Sequence, residues 1–599
     1  MKHPPSRRRL RSVALLGALS LVGLATMQSA LSANAVSARG HVPAVGKYEI
    51  RPHEPVESSP KKLLSASKTS GTKGALSAPV ASGLPVRGAT GVRTRINGLS
   101  LMDQRLSNNG NSFSLEPPDQ ALCTGNGYVL EGVNNVFSIY STSGAKLSGN
   151  QSYDPFWNHG VAEATRKPDG TIVRYGPFIS DPRCYYDPQL KRFFMTELQL
   201  GTKPSTGDFT GTSAIRIAVS KSSKPSTDAS DWHLYSINTR NDGTQGTPSG
   251  HTGCPCFGDQ PLIGADKYGF YITTNEFPIF KSGFNGAQMY AMDKAALAKG
   301  HLKLQRIEAN NPPLDEGVAY SVQPATSPTA SDWSTAANGT EYFMSAFDFA
   351  ATEGTATFDN RIATWAMTNT RSLTTGTPDV RVSNTTLHSE VYGQPPVARQ
   401  KDGPTPLGDA LKEKENRLDT NDDRMQQVVY ADGKLWSGLN TAVKNTEARP
   451  AHAGIAYFVV SPHASASGVT ASIAHQGYVA VAGNQVMYPA IGVAPGGSAT
   501  MVFTLAGQDY FPSAADIHLA RSGALSSSVQ LVKAGTKPAD GFTGYKAEGG
   551  DGVERWGDYS AAVGTPDGSV WIATEYIPGT FGYPDFVANW GTYVAQVAP

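Results

Sequence analysis

Pairs of acidic residues recur in this 599-residue chain at nearly constant spacing. In two of these pairs the acids are 17 residues apart and in a third they are 16 apart. Two carboxyl groups held close together can cleave a glycoside, one as general acid and the other as base or nucleophile. The catalytic candidates are Asp181 with Glu197, Asp259 with Glu276, and Asp558 with Glu575.

The same positions are polar elsewhere in the chain, where Asp119 precedes Asn134 and Asp423 precedes Asn440. Arginines and aromatic residues stand beside several of these acids, so the segments could bind an anionic or hydroxyl-rich ligand and stack on a sugar ring. The candidates for ligand binding are Asp119, Arg183, Asp423, Arg424, Arg555, Trp556 and Tyr559. The alternative is structural: such polar residues can hydrogen-bond the loop of a neighbouring repeat, and such aromatics can pack between repeats.

A repeated hairpin must position these residues. Each repeat is a short apolar strand, a turn containing Gly, Asp, Asn or Pro, and a longer strand rich in aromatic and β-branched residues. The hairpins lie at 122–134, 185–198, 263–277, 320–348, 428–441, 491–506 and 561–576. Outer strands are predicted at 214–220, 233–237, 288–292, 303–307 and 362–366, and short helices at 292–299 and 407–417.

Seven such hairpins predict an all-β fold, a seven-bladed β-propeller, with six or eight blades as alternatives. A hairpin returns the chain to where it began, so the acid pairs should crowd around one mouth of the central channel. Residues 590–598 are expected to form a last strand close to the first hairpin.

The chain has four cysteines, Cys123, Cys184, Cys254 and Cys256, all within five residues of one of these acids. In an exported protein an even number of cysteines predicts two disulfides, with three possible connectivities. They should staple the rim of the same mouth. A zinc site made of the four is the minor alternative, because no two of them are separated by two residues.

No cofactor or metal is expected. A short acidic loop could offer oxygen ligands to calcium, but it lacks the glycine and the distant glutamate of an EF-hand, so a solvated turn is the preferred interpretation. The loop residues are Asp419, Asn421, Asp422 and Asp423.

The N-terminal region predicts export. Basic residues precede an apolar run at 13–27 and a small-residue cleavage pattern ends at 35, as in a secretory signal peptide. Residues 36–110 are rich in Ser, Pro, Gly, Ala and Lys and are expected to form a low-complexity arm outside a propeller at 111–599. The 51 basic and 50 acidic residues leave no strongly basic field, which argues against nucleic-acid binding, and no second long apolar run suggests an integral membrane contact.

Several segments together resemble a widespread group of secreted bacterial β-propeller proteins of sialidase-like shape. They are PPDQALCTGNGYVLEGVNNVFSIY, DPRCYYDPQLKRFF, GDQPLIGADKYGFYITTNEF, MYPAIGV and RWGDYSAAVGTPDGSVWIATEY. The resemblance implies the fold rather than an activity, and the turns ADGKLW and PDGSVW depart from the Asp-box of sialidases.

The expected function is that of a secreted, monomeric propeller that binds an extracellular polysaccharide or another polar ligand at its mouth. The alternative is a glycoside hydrolase, or a lyase, that uses a carboxylate pair at the same place.

Overall fold

A computed structural model of the chain describes residues 76–158, 160–308, 314, 318–347, 358–414 and 417–599, and these residues form mainly β-strands. The predicted signal peptide, at residues 1–35, and residues 36–75 of the predicted arm lie outside the described residues. No helix among the described residues is both long enough and apolar enough to cross a membrane.

Tight turns fold the chain into the expected hairpins. The turn at Asn126 and Gly127 has φ values of 51° and 84°, and the turn at Asp432 and Gly433 has values of 50° and 72°. Asn-Gly and Asp-Gly tolerate two successive left-handed residues, as a two-residue hairpin turn with the twist of the flanking strands requires.

Antiparallel strands in chain order make seven four-stranded units within the described residues. Two strands and a helix precede the first unit: β1 (Val86–Gly88), β2 (Val92–Ser100) and α1 (Leu101–Gly110). Unit 1 contains β3 (Ala121–Gly125), β4 (Tyr128–Val133), β5 (Val136–Ser141) and β6 (Gln151–Ser152). It is followed by α2 (Tyr153–Trp157) and a two-stranded ribbon of β7 (Ala164–Arg166) and β8 (Ile172–Tyr175).

Units 2 to 4 follow the same pattern. Unit 2 contains β9 (Phe178–Asp187), β10 (Arg192–Thr202), β11 (Phe209–Ser220) and β12 (Trp232–Asn238). Unit 3 contains β13 (Cys256–Ala265), β14 (Gly269–Pro278), β15 (Ala287–Asp293), α3 (Lys294–Leu297) and β16 (Leu304–Glu308). Unit 4 contains β17 (Gln323–Thr326), β18 (Thr340–Ala346), β19 (Phe358–Thr368) and β20 (Arg381–Gly393).

Between units 4 and 5 the chain forms β21 (Ala398–Arg399), α4 (Pro406–Leu411) and β22 (Arg417–Leu418). Unit 5 contains β23 (Val428–Ala431), β24 (Lys434–Val443), β25 (His452–Ser465) and β26 (Gly468–Val479). Unit 6 contains β27 (Asn484–Val493), β28 (Ala499–Gly507), β29 (Ser513–Leu519) and β30 (Val529–Lys533). Unit 7 contains β31 (Ala561–Gly564), β32 (Val570–Tyr576) and β33 (Gly591–Val597), and β2 is its fourth strand.

Apolar side chains pack between consecutive units, and the last unit packs on the first. Between units 2 and 3, for example, Ile217 and Phe270 belong to one buried cluster. Between units 7 and 1, Trp571 and Leu122 belong to another. Units 4 and 5 are also joined by parallel pairing of β17 with β23, at Ala325 with Val428.

The expected boundary of the body at residue 110 is wrong. Strand β2 pairs antiparallel with β33 and buries Ile96 and Leu99, and β1 adds a parallel edge strand to β30 of unit 6. The predicted last strand is confirmed, but its partner comes from upstream of the first hairpin. Composition did not indicate β2, because only three of its nine residues are buried and the others are exposed or half-buried. The predicted outer strands are confirmed, whereas both predicted helices are shorter than expected.

Candidate functional site

Hairpin register places both members of two predicted acid pairs at the same end of their strands. In unit 3, Glu276 pairs with the residue before Asp259. In unit 7, the Oε2 atom of Glu575 accepts a hydrogen bond of 2.9 Å from the N–H of the residue before Asp558. The shared end of the two strands is therefore as the spacing predicted.

A repeated hydrogen bond joins one unit to the next at this end. A side-chain oxygen of one unit accepts from a backbone N–H within or just before the inner strand of the next unit, and each donor residue has a left-handed φ between 43° and 60°. The acceptor and donor pairs are Asn134 with Asp181 (3.0 Å), Asp181 with Gln260 (3.0 Å), Asn275 with Ser321 (2.9 Å) and Asn440 with Tyr488 (2.6 Å). Such backbone persists only where its surroundings hold it, so these side chains have a structural role.

A bond between a side chain and the backbone also joins the first and last units, with the acceptor in the first unit and the donor in the last. The Oδ1 atom of Asp119 accepts a 2.9 Å hydrogen bond from the N–H of Asp558, 439 residues along the chain. The side chain of Asp558 accepts from the amide of Asn421 at 3.1 Å and from the guanidinium of Arg555 at 3.0 Å. The structural interpretation therefore applies to both aspartates. Together with Asp181 and Asp259 they are called the acid ring below.

Three acids of the ring are close enough to repel one another. Burial, followed by the charges of Asp558 and Asp181, raises the pKa of Asp119 well above its ordinary value. Burial and the charge of Asp558 also raise the pKa of Asp181. Protonated carboxyl groups can donate as well as accept hydrogen bonds, so the cluster can be satisfied without a full set of countercharges.

Arg183 lies against this cluster. Its guanidinium carbon is 3.3 Å from the centre of the Tyr559 ring, and the Tyr559 hydroxyl donates to the carbonyl of Pro182 at 3.0 Å. Burial lowers the pKa of Arg183. Its Nε and Nη2 atoms are buried and make no hydrogen bond to any described residue.

Arg424 is held by its own neighbours. It donates to both carboxylate oxygens of Asp422, at 2.7 and 2.9 Å, and to Gln260 of unit 3 at 2.8 Å. Burial opposes ionisation of Asp422, yet the charge and hydrogen bonds of Arg424 hold its pKa below the ordinary value. The guanidinium thus bridges units rather than facing open solvent.

The side-chain oxygens of the loop considered for calcium binding form hydrogen bonds and an ion pair within the protein. Asp419 and Asn421 accept from backbone N–H groups within the loop, at 3.0 and 2.9 Å, and Asp422 pairs with Arg424. Asp423 is buried, with 2% of its surface exposed. Where the structure is described, these residues are not among the groups whose ligand atoms converge on a possible metal position.

The three candidate glutamates are buried among protein partners. Glu197 accepts from the indole N–H of Trp157, and burial raises its pKa well above the ordinary value. Burial does the same for Glu575, with a further contribution from Glu116. Glu276 contacts the imidazole of His251, with Nδ1 and Oε1 2.7 Å apart.

Trp556 and Tyr559, the aromatics considered for stacking on a sugar, are each 1% exposed. The indole N–H of Trp556 donates to Thr504 at 3.1 Å. Both rings therefore take the packing role that was the alternative.

Two cavities lie along the inner strands. The smaller, of about 20 Å³, is lined by Asp119, Asp181, Asp259 and Arg555 and has room for a water molecule but not for a sugar. The larger measures about 700 Å³ and reaches the turns of units 1 and 7, which follow their inner strands. The larger cavity thus opens at the end of the inner strands opposite to the acid ring. The predicted mouth, at the other end, is occupied by the acid ring.

The larger cavity has a polar lining that the sequence interpretation missed, apart from Arg183. Gln120, Gln323 and Gln427 lie on its wall, and Asp567 is the one carboxylate among its described lining residues. Gln120 follows Asp119 in PPDQ, but no sequence pattern is shared by the three, and the Gln of GDQP, Gln260, does not line this cavity. None of the six catalytic candidates lines this cavity.

Both predicted disulfides are present, and the structure decides between the three connectivities. Cys123 of unit 1 pairs with Cys184 of unit 2, and Cys254 pairs with Cys256. The first bridge joins neighbouring inner strands, whereas the second closes a loop within one segment.

The sequence matches no protein-family model and no curated protein. Among solved structures, the Trypanosoma rangeli sialidase in complex with sialic acid is 10% identical, with a TM-score of 0.31 over 72% of this chain and 56% of that chain. An α-L-arabinofuranosidase from Lactobacillus brevis is 10% identical, with a TM-score of 0.30 over 70% of this chain and 96% of that chain. An endo-arabinase from Bacteroides thetaiotaomicron is 10% identical, with a TM-score of 0.26 over 73% and 98%. The chain spans just over half of the sialidase, and likenesses this distant assign no activity to it.

Proposed function

We propose that the seven units are the blades of one closed β-propeller and that the chain binds an extracellular carbohydrate or another polar, hydroxyl-rich ligand in its larger cavity. The observation that carries this proposal is the cavity itself. Its volume of about 700 Å³ lies within the range of small-molecule sites, and inner strands of most units contribute to its wall.

The chemistry of the wall suits such a ligand. Arg183 lines the cavity, and a guanidinium can bind a carboxylate or hydroxyl group from a fixed direction. The amides of Gln120 and Gln323 can both donate and accept, as a sugar hydroxyl requires. The two disulfides support export of the chain.

Binding is favoured over hydrolysis by the positions of the acids. Glycoside cleavage needs two carboxyl groups on either side of the bond, about 5 to 9 Å apart. Asp558 and Glu575 belong to the buried ring, and the larger cavity has Asp567 as its one described carboxylate.

The test is a panel of neutral and acidic oligosaccharides, scored by calorimetry for binding and by chromatography for released sugar. Arg183→Gln should weaken binding of a retained ligand by about tenfold or more, since one charge-assisted contact accounts for roughly 1.4 kcal/mol or more. Glu575→Gln should leave binding unchanged, because Glu575 lies outside the cavity.

Arg424→Gln serves as the matched control, because Arg424 is equally buried but does not line the cavity. Thermal unfolding of each variant separates loss of fold from loss of binding. Sugar release that Glu575→Gln abolishes would instead support the hydrolase, and binding that is indifferent to Arg183→Gln would contradict the cavity as the site.

A further inference from the structure

A second cluster of reactive side chains lies in unit 3, beside β13 and β14. Cys254 and Cys256 flank Pro255 where β13 begins, and Glu276 is near the end of β14. The imidazole of His251 contacts the Oε1 atom of Glu276, with 2.7 Å between Nδ1 and Oε1. The cluster thus joins three kinds of metal-binding group within one hairpin and the loop before it.

The Cys254–Cys256 disulfide should contribute little to the stability of the fold. A disulfide stabilises a fold mainly by restricting the unfolded chain, and this effect grows with the logarithm of the loop that it closes. The Cys254–Cys256 loop spans a sequence separation of 2, against 61 for Cys123–Cys184. The contrast indicates a chemical role for the shorter bridge.

The surrounding atoms form a ready donor set. The Sγ atoms of Cys254 and Cys256 and a carboxylate oxygen of Glu276 all lie within 4.8 Å of one another. His251 lies outside this group of three and is placed beside it by its contact with Glu276. Two thiolates, an imidazole and a carboxylate are ligands that Zn²⁺ accepts in tetrahedral sites.

Two side-chain amides hold the carboxylate of Glu276 in place. The amide of Asn285 donates to Glu276 Oε1 at 3.0 Å and approaches Cys256 Sγ at 3.4 Å. The amide of Asn241 donates to Glu276 Oε2. Such contacts orient metal ligands and strengthen binding. Cys256 and Glu276 are buried, whereas Cys254 and His251 retain some exposure through which an ion could enter.

We propose that reduction of the Cys254–Cys256 disulfide converts this cluster into a binding site for one Zn²⁺ ion, with Cys254, Cys256, His251 and Glu276 as ligands. An external dithiol supplies the two electrons and two protons, its own sulfurs form a disulfide, and Cys254 and Cys256 become thiols. Binding of Zn²⁺ then releases the two thiol protons. Oxidation reverses the change, because disulfide sulfur lacks the thiolate charge that binds the metal.

The experiment uses the full chain, reduced by a trialkylphosphine, freed of excess reagent without oxygen, and titrated with Zn²⁺ in a calorimeter. Metal content is measured after desalting. The reduced protein should retain one equivalent, and the oxidised protein none. Co²⁺ in place of Zn²⁺ should give the absorption of a tetrahedral, thiolate-bound ion.

Cys254→Ser with Cys256→Ser should abolish binding, and His251→Ala or Glu276→Gln should each weaken it by tenfold or more. Cys123→Ser with Cys184→Ser is the matched control and should keep the full equivalent. In the reduced wild-type chain, Zn²⁺ should also protect Cys254 and Cys256 from alkylation, as mapped by mass spectrometry. This measurement does not require any variant to fold. A folded, reduced chain that binds no Zn²⁺, or equal binding by the oxidised chain, would overturn the proposal.

Discussion

Glu131 shows how one buried carboxyl group links charge to stability. Both of its oxygens lie 3.2 Å from the N–H of Leu99 in β2, and the hydroxyl of Thr592 donates to it from β33. Burial raises its pKa to about 7. The folded chain therefore holds this proton more tightly than the unfolded chain, and the resulting stability is present below pH 4.5 and is lost as the pH rises through 7.

Glu131→Gln should remove this pH dependence. Because of this group, the wild-type free energy of unfolding should fall by about 3 kcal/mol between pH 4.5 and 7. The free energy of unfolding of the variant should lack this contribution over the same pH range. Urea unfolding at a series of pH values measures the difference. Glu447→Gln is the control, because the side chain of Glu447 is 84% exposed. Parallel curves for wild type and Glu131→Gln would contradict the assignment.

At the scale of the element, a side chain of the preceding unit holds one backbone N–H within or just before four of the inner strands. Asn440 is the clearest case, since its amide donates to the carbonyl of Thr420 at 2.8 Å and accepts from the N–H of Tyr488 at 2.6 Å. The φ of Tyr488 is 59°, which an aromatic residue adopts only under constraint. One side chain thus fixes the irregular backbone in the middle of β27.

Asn440→Ala should destabilise the protein by about 3 kcal/mol, because it leaves a buried N–H and a buried carbonyl without partners. Chemical denaturation measures the loss. Asn445→Ala, which removes one hydrogen bond of 3.3 Å to Ala81 at a less buried position, should cost less than about 1 kcal/mol. Equal losses in the two variants would argue against a special role for the junction between units 5 and 6.

For the whole molecule, the packing of the last unit on the first involves strand β2. Strand β2 covers β33, which would otherwise be an edge strand with unpaired backbone groups. The contacts of Ile96 and Leu99 join the two ends of the chain. The first and last units are therefore stabilised together.

A chain that begins at Leu101 should lose about 4 kcal/mol or more relative to one that begins at Leu76, from the buried side chains of Ile96 and Leu99. It should also associate through the exposed edge of β33. Denaturation and light scattering test both effects. If the two truncated chains were equally stable and monomeric, β2 would be dispensable for closure.

For the acid ring, the sequence predicted the positions of the residues along the strands but not their burial. Constant spacing correctly predicted that Asp259 and Glu276 lie at the same end of their hairpin, as do Asp558 and Glu575, since both follow from the length of a hairpin. It did not predict that the ring is buried, because burial depends on units far apart in sequence. The bond from Asp558 to Asp119 is one such contact.

The sequence alone determined the hairpins, their turns and the presence of two disulfides, because alternation, Asn-Gly turns and cysteine number act over short distances. Tertiary structure decided the pairing of Cys123 with Cys184, the inclusion of β2 and the end at which the larger cavity opens. These depend on packing between units, whose contacts no local pattern records. The position of Arg183, stacked on Tyr559 from another unit and facing the cavity, has the same origin.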